Sequence, residues 1–329
     1  ITISPTAEMP WAFFCLRLPK IFIYVTAFVI SFLSSALIRM QLLGSAPEKL
    51  IAVDWDENIG TIYKDITYEN TGGHKFDLYI PTGLDKEQPQ NVILYIHGGS
   101  FNSGAKEDGD SWCRFYASKG YISATVDYTL QNSGVKADLN LMNEQIKSCV
   151  SAINEKCSEL GYNVSGMATC GVSAGGTLAM NYAYKCAESS AIPVKFVFQL
   201  AGPSDFEPTY WSLLKKVNKI KTDTEFLQWM TGKDITDEMI ESGEYERYVD
   251  EISPARLVNA ASVPTLVGYG LKDHAVPASS RVLLLDALEK SGITYDYIDF
   301  PNSNHGMYAD LDKLHEFMDR SLEYCEKYF

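Results

Sequence analysis

Residues 167–176 read Met-Ala-Thr-Cys-Gly-Val-Ser-Ala-Gly-Gly: a β-prone segment runs into Gly-x-Ser-x-Gly, and a helical pattern follows over residues 177–188. Few folds accept that order. A strand that stops at a serine and turns at once into a helix packs backbone against backbone, and Gly171 and Gly175 leave room because they carry no Cβ. Such a turn displays Ser173 at its tip. A serine hydroxyl is a weak nucleophile at neutral pH, so Ser173 needs a base for its proton and donors for a developing oxyanion. Alone, a pattern with three fixed positions also describes an ordinary Gly/Ser turn, and the rest of the chain has to decide.

The flanking segments alternate in kind. Residues 65–69 and 75–80 switch between apolar and polar side chains across a turn at 70–73, which predicts an antiparallel hairpin. Residues 91–96 are a strand expected to be buried on both faces, and they end in His97-Gly98-Gly99-Ser100. A helix near 111–119, a strand at 121–128 and a long helix over 138–160 lead to the serine turn. Strands at 195–200, 265–269 and 294–300 and helices at 278–290 and from about 310 follow it. This rhythm predicts an α/β fold built on a mainly parallel, doubly wound sheet with an antiparallel N-terminal hairpin.

The rhythm breaks over residues 203–263, which are rich in charge and in large side chains such as Tyr210, Trp211, Phe226, Trp229 and Met230. A helical cap over the carboxyl edge of the sheet is expected there, since ligands of open α/β sheets bind at that edge. A long helical connection packed on the core is the other reading.

With 329 residues the chain can bury one large core. The catalytic domain is expected at residues 61–329, after a polar, acidic linker at 46–60. Within residues 1–45 lies an uncharged run at 21–38, which as a helix would span about 27 Å. It reads as a membrane anchor, with a signal peptide or a helix packed on a secreted or cytoplasmic domain as alternatives. Arg17 and Lys20 on one flank balance Arg39 and Lys49 on the other, so charge sets no orientation. The net charge of −14 argues against nucleic acid as a partner and against charge-driven docking on anionic membranes. The seven cysteines form no CxxC pair or metal-spaced cluster and read as reduced, packed thiols.

Ser173, Asp273 and His305 each follow a predicted strand at the same edge of the sheet, and their order along the chain is the one expected for a serine on this kind of turn. Of the other histidines, His315 sits inside the terminal helix, His74 starts a hairpin strand, and His274 adjoins the candidate acid. His97 belongs to the Gly-Gly loop, which it is expected to support by hydrogen bonding. Asp205, after the strand at 195–200, competes with Asp273 as the acid. Gly98 and Gly99 lack side chains that would obstruct their N–H groups, and with the N–H of Ala174 they are the expected oxyanion donors.

Together, His97-Gly98-Gly99-Ser100, Gly171-Val172-Ser173-Ala174-Gly175, the Asp273 segment and Asn304-His305-Gly306 resemble the α/β-hydrolase superfamily. The likeness is to its esterase/lipase branch with an H-G-G-x oxyanion motif, which includes hormone-sensitive-lipase-like and carbohydrate-ester-cleaving members. It covers residues 61–329, with two departures: Ser100 stands where lipases often have a third glycine, and Asp127-Tyr128-Thr129-Leu130 only approximates the Y-R-L of many relatives. The resemblance implies a serine nucleophile, a histidine base, an orienting aspartate, and neither metal nor organic cofactor. The expected activity is hydrolysis of small-molecule or carbohydrate-linked carboxylic esters. An amidase, arylformamidase or peptidase on the same scaffold, or a non-catalytic membrane-tethered binding protein, are the other readings.

Overall fold

The apolar runs that predict strands pair into one sheet in a computed structural model of the protein, which describes residues 50–69, 73–134, 136–187 and 189–329. Its strands are β1 (Gly60–Thr67), β2 (Lys75–Pro81), β3 (Gln90–Ile96), β4 (Ile122–Val126), β5 (Val164–Val172), β6 (Val194–Leu200), β7 (Thr265–Gly270) and β8 (Tyr295–Phe300). They lie in the order β1-β2-β4-β3-β5-β6-β7-β8. β1 and β2 form the antiparallel hairpin, β2 runs antiparallel to β4, and every pair from β4 to β8 is parallel. Residues 70–72 of the expected turn lie outside the described residues.

Register assigns the helices to faces. Side chains alternate across a strand, so Thr169 and Cys170 point to opposite faces of β5. Thr169 donates to the carbonyl of Ala179 in α3 (Ala174–Cys186), which places α3 on its face. Cys170 is paired with Phe198 of β6. Phe198 meets Tyr116 of α1 (Asp110–Ser118) and Phe317 of α10 (Leu311–Tyr328), which cover the other face. A buried hydrogen bond joins Tyr116 to Ser321 and locks α1 to α10. α2 (Leu139–Glu159) lies beside α3 on the first face, and α9 (Ala278–Lys290) connects β7 to β8. Covered on both faces, the central strands bury nearly every residue, as their unbroken apolar runs require.

Two boundaries differ from expectation for physical reasons. α3 begins at Ala174 rather than Thr177, because tertiary contact overrides the low helix propensity of Gly175 and Gly176. β4 ends at Val126, two residues early, and frees Tyr128 to pack beneath the loop that follows β3. Packing also reaches back past Thr61. Ile51 is buried, and Trp55 meets the Tyr79 ring edge-on while the Arg114 guanidinium covers its face.

Residues between β6 and β7 form a 3₁₀ turn (Pro208–Tyr210) and five short helices: α4 (Ser212–Val217), α5 (Asp223–Thr231), α6 (Asp237–Ser242), α7 (Glu246–Asp250) and α8 (Pro254–Leu257). Thr222 and Thr236 cap the starts of α5 and α6, and Gly232 and Gly243 end them in the left-handed conformation. Phe226 and Met230 of this insertion are buried, whereas Tyr210 is largely exposed. Cys113, Cys149, Cys157, Cys170 and Cys325 are buried free thiols and Cys186 is half-buried. Burial pushes the Cys157 and Cys325 thiols up to about 12. Among the described residues no helix is long and apolar enough to cross a membrane. The apolar run at 21–38 and Cys15 lie outside them.

Candidate active site

The serine turn is as tight as its glycines imply. A Cβ on Gly175 would stand 2.0 Å from the Ile96 carbonyl oxygen, and one on Gly171 would stand 2.5 Å from the Gly175 carbonyl carbon. Between them Ser173 has φ 57° and ψ −127°, a conformation that side-chain-bearing residues avoid and that costs about 1–3 kcal/mol. Its N–H donates to the Leu200 carbonyl at 2.8 Å, which ties the strained residue to β6. The hydroxyl is left pointing out of the carboxyl edge.

His305 arrives on the loop after β8. Its Nε2 lies 2.9 Å from Ser173 Oγ, and its Nδ1 lies 2.8 Å from Asp273 Oδ2. Asp273 arrives on the loop after β7. Its Oδ1 accepts the N–H groups of Ala275 at 2.8 Å and Val276 at 3.1 Å, which fixes the carboxylate so that Oδ2 faces the imidazole. The three expected residues therefore form one hydrogen-bonded chain.

Asp205 does not join it. Its Oδ2 takes the Arg256 Nε at 2.7 Å, and its Oδ1 accepts the Glu207 N–H at 2.7 Å and Arg256 Nη2 at 3.3 Å. Held by the Arg256 guanidinium and the Glu207 N–H, Asp205 is a cap anchor and shares no hydrogen bond with His305 among the described residues. His274 and His315 are exposed, and His74 bridges Glu69 and Thr129.

The loop after β3 approaches from the opposite side. A Cβ on Gly98 would come within 2.8 Å of the Val172 carbonyl oxygen and 3.3 Å of Ser173 Cβ, so only glycine permits this approach. Gly99, Ser100 and Phe101 then take φ of 107°, 53° and 63° in succession. Neither the Gly98 nor the Gly99 N–H has an acceptor among the described residues, and Ala174, as the first residue of α3, has none within its helix. His97 is buried beneath, with Nδ1 2.7 Å from the Gly98 carbonyl oxygen. Because that carbonyl accepts, Nδ1 carries the hydrogen. Burial pulls the imidazole below its ordinary range, which keeps it neutral. Tyr128, which pattern reading did not single out for a role, stacks on the His97 ring at 4.2 Å and donates to the His97 carbonyl at 2.8 Å.

Beside Asp273 a cavity of about 240 Å³ opens towards the cap, walled by Tyr210, Trp211, Leu213 and Val276. Among the described residues no group of three His, Cys, Asp or Glu side chains is placed to hold a metal ion.

A family model described as BD-FAE matches residues 76–288, which runs from β2 into α9 and takes in most of the chain. The chain belongs to the BD-FAE family. Solved structures with the same α/β-hydrolase architecture include a truncated carbohydrate esterase from gut microbiota (TM-score 0.65, 17% identity, covering 82% of this chain and 98% of that one). Another is an inhibited esterase B from Lactobacillus rhamnosis (TM-score 0.65, 15% identity, 90% and 97%). At those identities the likeness is one of fold. In sequence, this BD-FAE member is 27% identical over 146 residues to kynurenine formamidase of Salmo salar, spanning 44% of this chain and 47% of that protein. It is 25% identical over 228 residues to esterase LipI of Mycobacterium tuberculosis, spanning 66% and 62%. The chain thus spans about half of the first relative and less than two thirds of the second.

Proposed function

We propose that this BD-FAE member is a serine hydrolase of carboxylic esters that works through an acyl-enzyme. The observation that carries the reading is the unbroken chain Ser173 Oγ, His305 Nε2, His305 Nδ1, Asp273 Oδ2, with links of 2.9 and 2.8 Å.

In the reaction, His305 Nε2 takes the Ser173 proton as Oγ attacks the ester carbonyl carbon. Asp273 holds Nδ1–H, so the imidazole keeps the tautomer with a free lone pair on Nε2 and its cationic form is stabilised. Charge develops on the carbonyl oxygen, where the N–H groups of Gly98, Gly99 and Ala174 receive it. Each such donor is worth about 3–4 kcal/mol. Collapse expels the alcohol, protonated by His305. Water then enters, gives its proton to the same histidine, and releases the acid and Ser173.

The kynurenine formamidase relative supports a second reading, cleavage of an amide-type bond by the same residues, because the attack on the carbonyl is common to both and only the leaving group differs. Ser173→Ala should abolish turnover of short-chain p-nitrophenyl esters, a loss of at least about 10³-fold, with circular dichroism unchanged. Wild-type turnover in that variant would sink both readings. A panel pairing each ester with its amide and formamide decides between them.

A further inference from the structure

The cap of such a site is ordinarily read as a wall of the substrate pocket. Here it also grips the loop opposite. Three consecutive residues of that loop, Gly99 to Phe101, hold positive φ, and a non-glycine backbone stays in that region only where its surroundings enforce it. Within the loop, the Gly99 carbonyl accepts the N–H groups of Asn102 and Ser103 at 3.0 Å and the Ser103 hydroxyl at 2.9 Å. Besides the support that His97 and Tyr128 give from beneath, further ties lead to the cap. Asn102 Nδ2 donates to Asn218 Oδ1 at 3.0 Å, and Asn218 is itself fixed at the end of α4 by donating to the Leu214 carbonyl. The Phe101 carbonyl accepts the Gln131 N–H at 2.9 Å, while Gln131 Nε2 donates to the Trp229 carbonyl of α5 at 2.7 Å. The Phe101 ring is buried against Phe206 at 6.0 Å, and Phe206 stacks on Trp211, which stacks on Phe226 of α5.

We propose that Asn218 and Gln131 are positioning residues: they let the cap hold the Gly99–Phe101 run in its strained form and so aim the Gly98 and Gly99 N–H groups at the reacting carbonyl oxygen. The proposal rests on the reading of those groups as oxyanion donors. Donors placed by a strained loop lose their aim when the outer ties are cut, and aim matters only once charge develops. Cutting a tie therefore acts on kcat and spares KM. It also leaves the base alone, because no tie touches Asp273 or His305.

The test uses the full chain with p-nitrophenyl acetate and p-nitrophenyl butyrate. Asn218→Ala should lower kcat by about tenfold or more on both esters, with KM and the pH–rate profile unmoved. Asn218→Asp keeps an acceptor for Asn102 Nδ2 but loses the donor to the Leu214 carbonyl, and should restore part of the rate that alanine loses. Gln131→Leu keeps the backbone N–H that meets the Phe101 carbonyl but cuts the side-chain link from there to Trp229 of the cap, should show the same pattern, and stands in if a melting curve shows Asn218→Ala unfolded. Unchanged kcat in both variants would overturn the proposal. So would a KM change that differs between the two esters, since it would mean that these side chains touch substrate. A wild-type chain that turns over neither ester and takes no fluorophosphonate would instead overturn the hydrolase reading itself.

Discussion

At the scale of single residues, two aspartates at the carboxyl edge of the sheet compete for one role, and their partners separate them. Asp273 offers Oδ2 to His305 Nδ1 and has its other oxygen held by two backbone N–H groups. Asp205 faces Arg256, which also reaches Asp250 at 3.0 Å and Glu207 at 3.5 Å, so it ties the segment after β6 to the segment before β7. Asp273→Asn removes the charge that stabilises the imidazolium and can trap the wrong tautomer. It should lower kcat by about 10⁴-fold with little change in melting temperature. Asp205→Asn does the opposite. It weakens one of the three carboxylate partners of the half-buried Arg256 and should cost about 1–2 kcal/mol of stability while retaining most of kcat. Ester turnover and urea melts on both variants check this, and equal kcat losses would mean that the two roles had been wrongly divided.

At the scale of elements, the serine turn is where β5, α3 and β3 meet at backbone distance, and adjacent glycines there serve different ends. A Cβ on Gly175 would run into the carbonyl oxygens of Ile96 at 2.0 Å and His97 at 2.6 Å, both backbone atoms that cannot swing aside. A Cβ on Gly176 would stand 3.1 Å from Gly202 Cα, a contact relieved by a few tenths of an ångström. Alanine also raises helix propensity by about 1 kcal/mol at an interior position. Gly175→Ala should therefore lose about 3 kcal/mol or more, whereas Gly176→Ala should stay within about 1 kcal/mol of wild type, as urea denaturation would show. Comparable stability for the two would refute the close-packing argument. The same glycines explain why the start of α3 could not be read from pattern: local propensity argues against helix at both, and packing against β3 overrides it. The strands were legible because each is a short apolar run bounded by turn residues. The cap was legible only as a helical interruption, since helices of four to nine residues are too short to show a period.

At the scale of the whole molecule, the α/β alternation predicts a parallel sheet, but not that β4 inserts between β2 and β3. The grouping of Ser173, Asp273 and His305 was legible because each sits in a loop at the end of a predicted strand, and a parallel sheet gathers such loops at one edge. The ties between the cap and the loop after β3 were not legible. Asn102 and Asn218 are 116 residues apart and Gln131 and Trp229 are 98 apart, and nothing in either sequence neighbourhood marks them as partners. One property of the whole fold does follow from a single buried group. His97 lies under the junction of β3 and β5, and burial holds its imidazole below the ordinary 6.5 despite opposing pull from the Gly98 carbonyl, Asp127, Asp108 and Glu107. Below about pH 6.5 the unfolded chain therefore binds a proton that the folded chain refuses. The stability contributed by neutral His97 is complete above that pH and falls as pH drops towards the folded-state value. The lowered carboxylates Asp65, Glu107, Glu238 and Asp310 begin to act only near and below their ordinary values of 3.8 to 4.5, so the interval from about pH 5 to 6.5 is free of them; Asp127, raised by burial, acts in the opposite sense and is present in wild type and variant alike. His97→Asn keeps an N–H where Nδ1 now faces Gly98 but cannot be protonated. Across that interval the melting temperature of the wild type should fall on acidification, and the fall should be shallower in His97→Asn; parallel curves would show that the ring is already protonated in the folded protein.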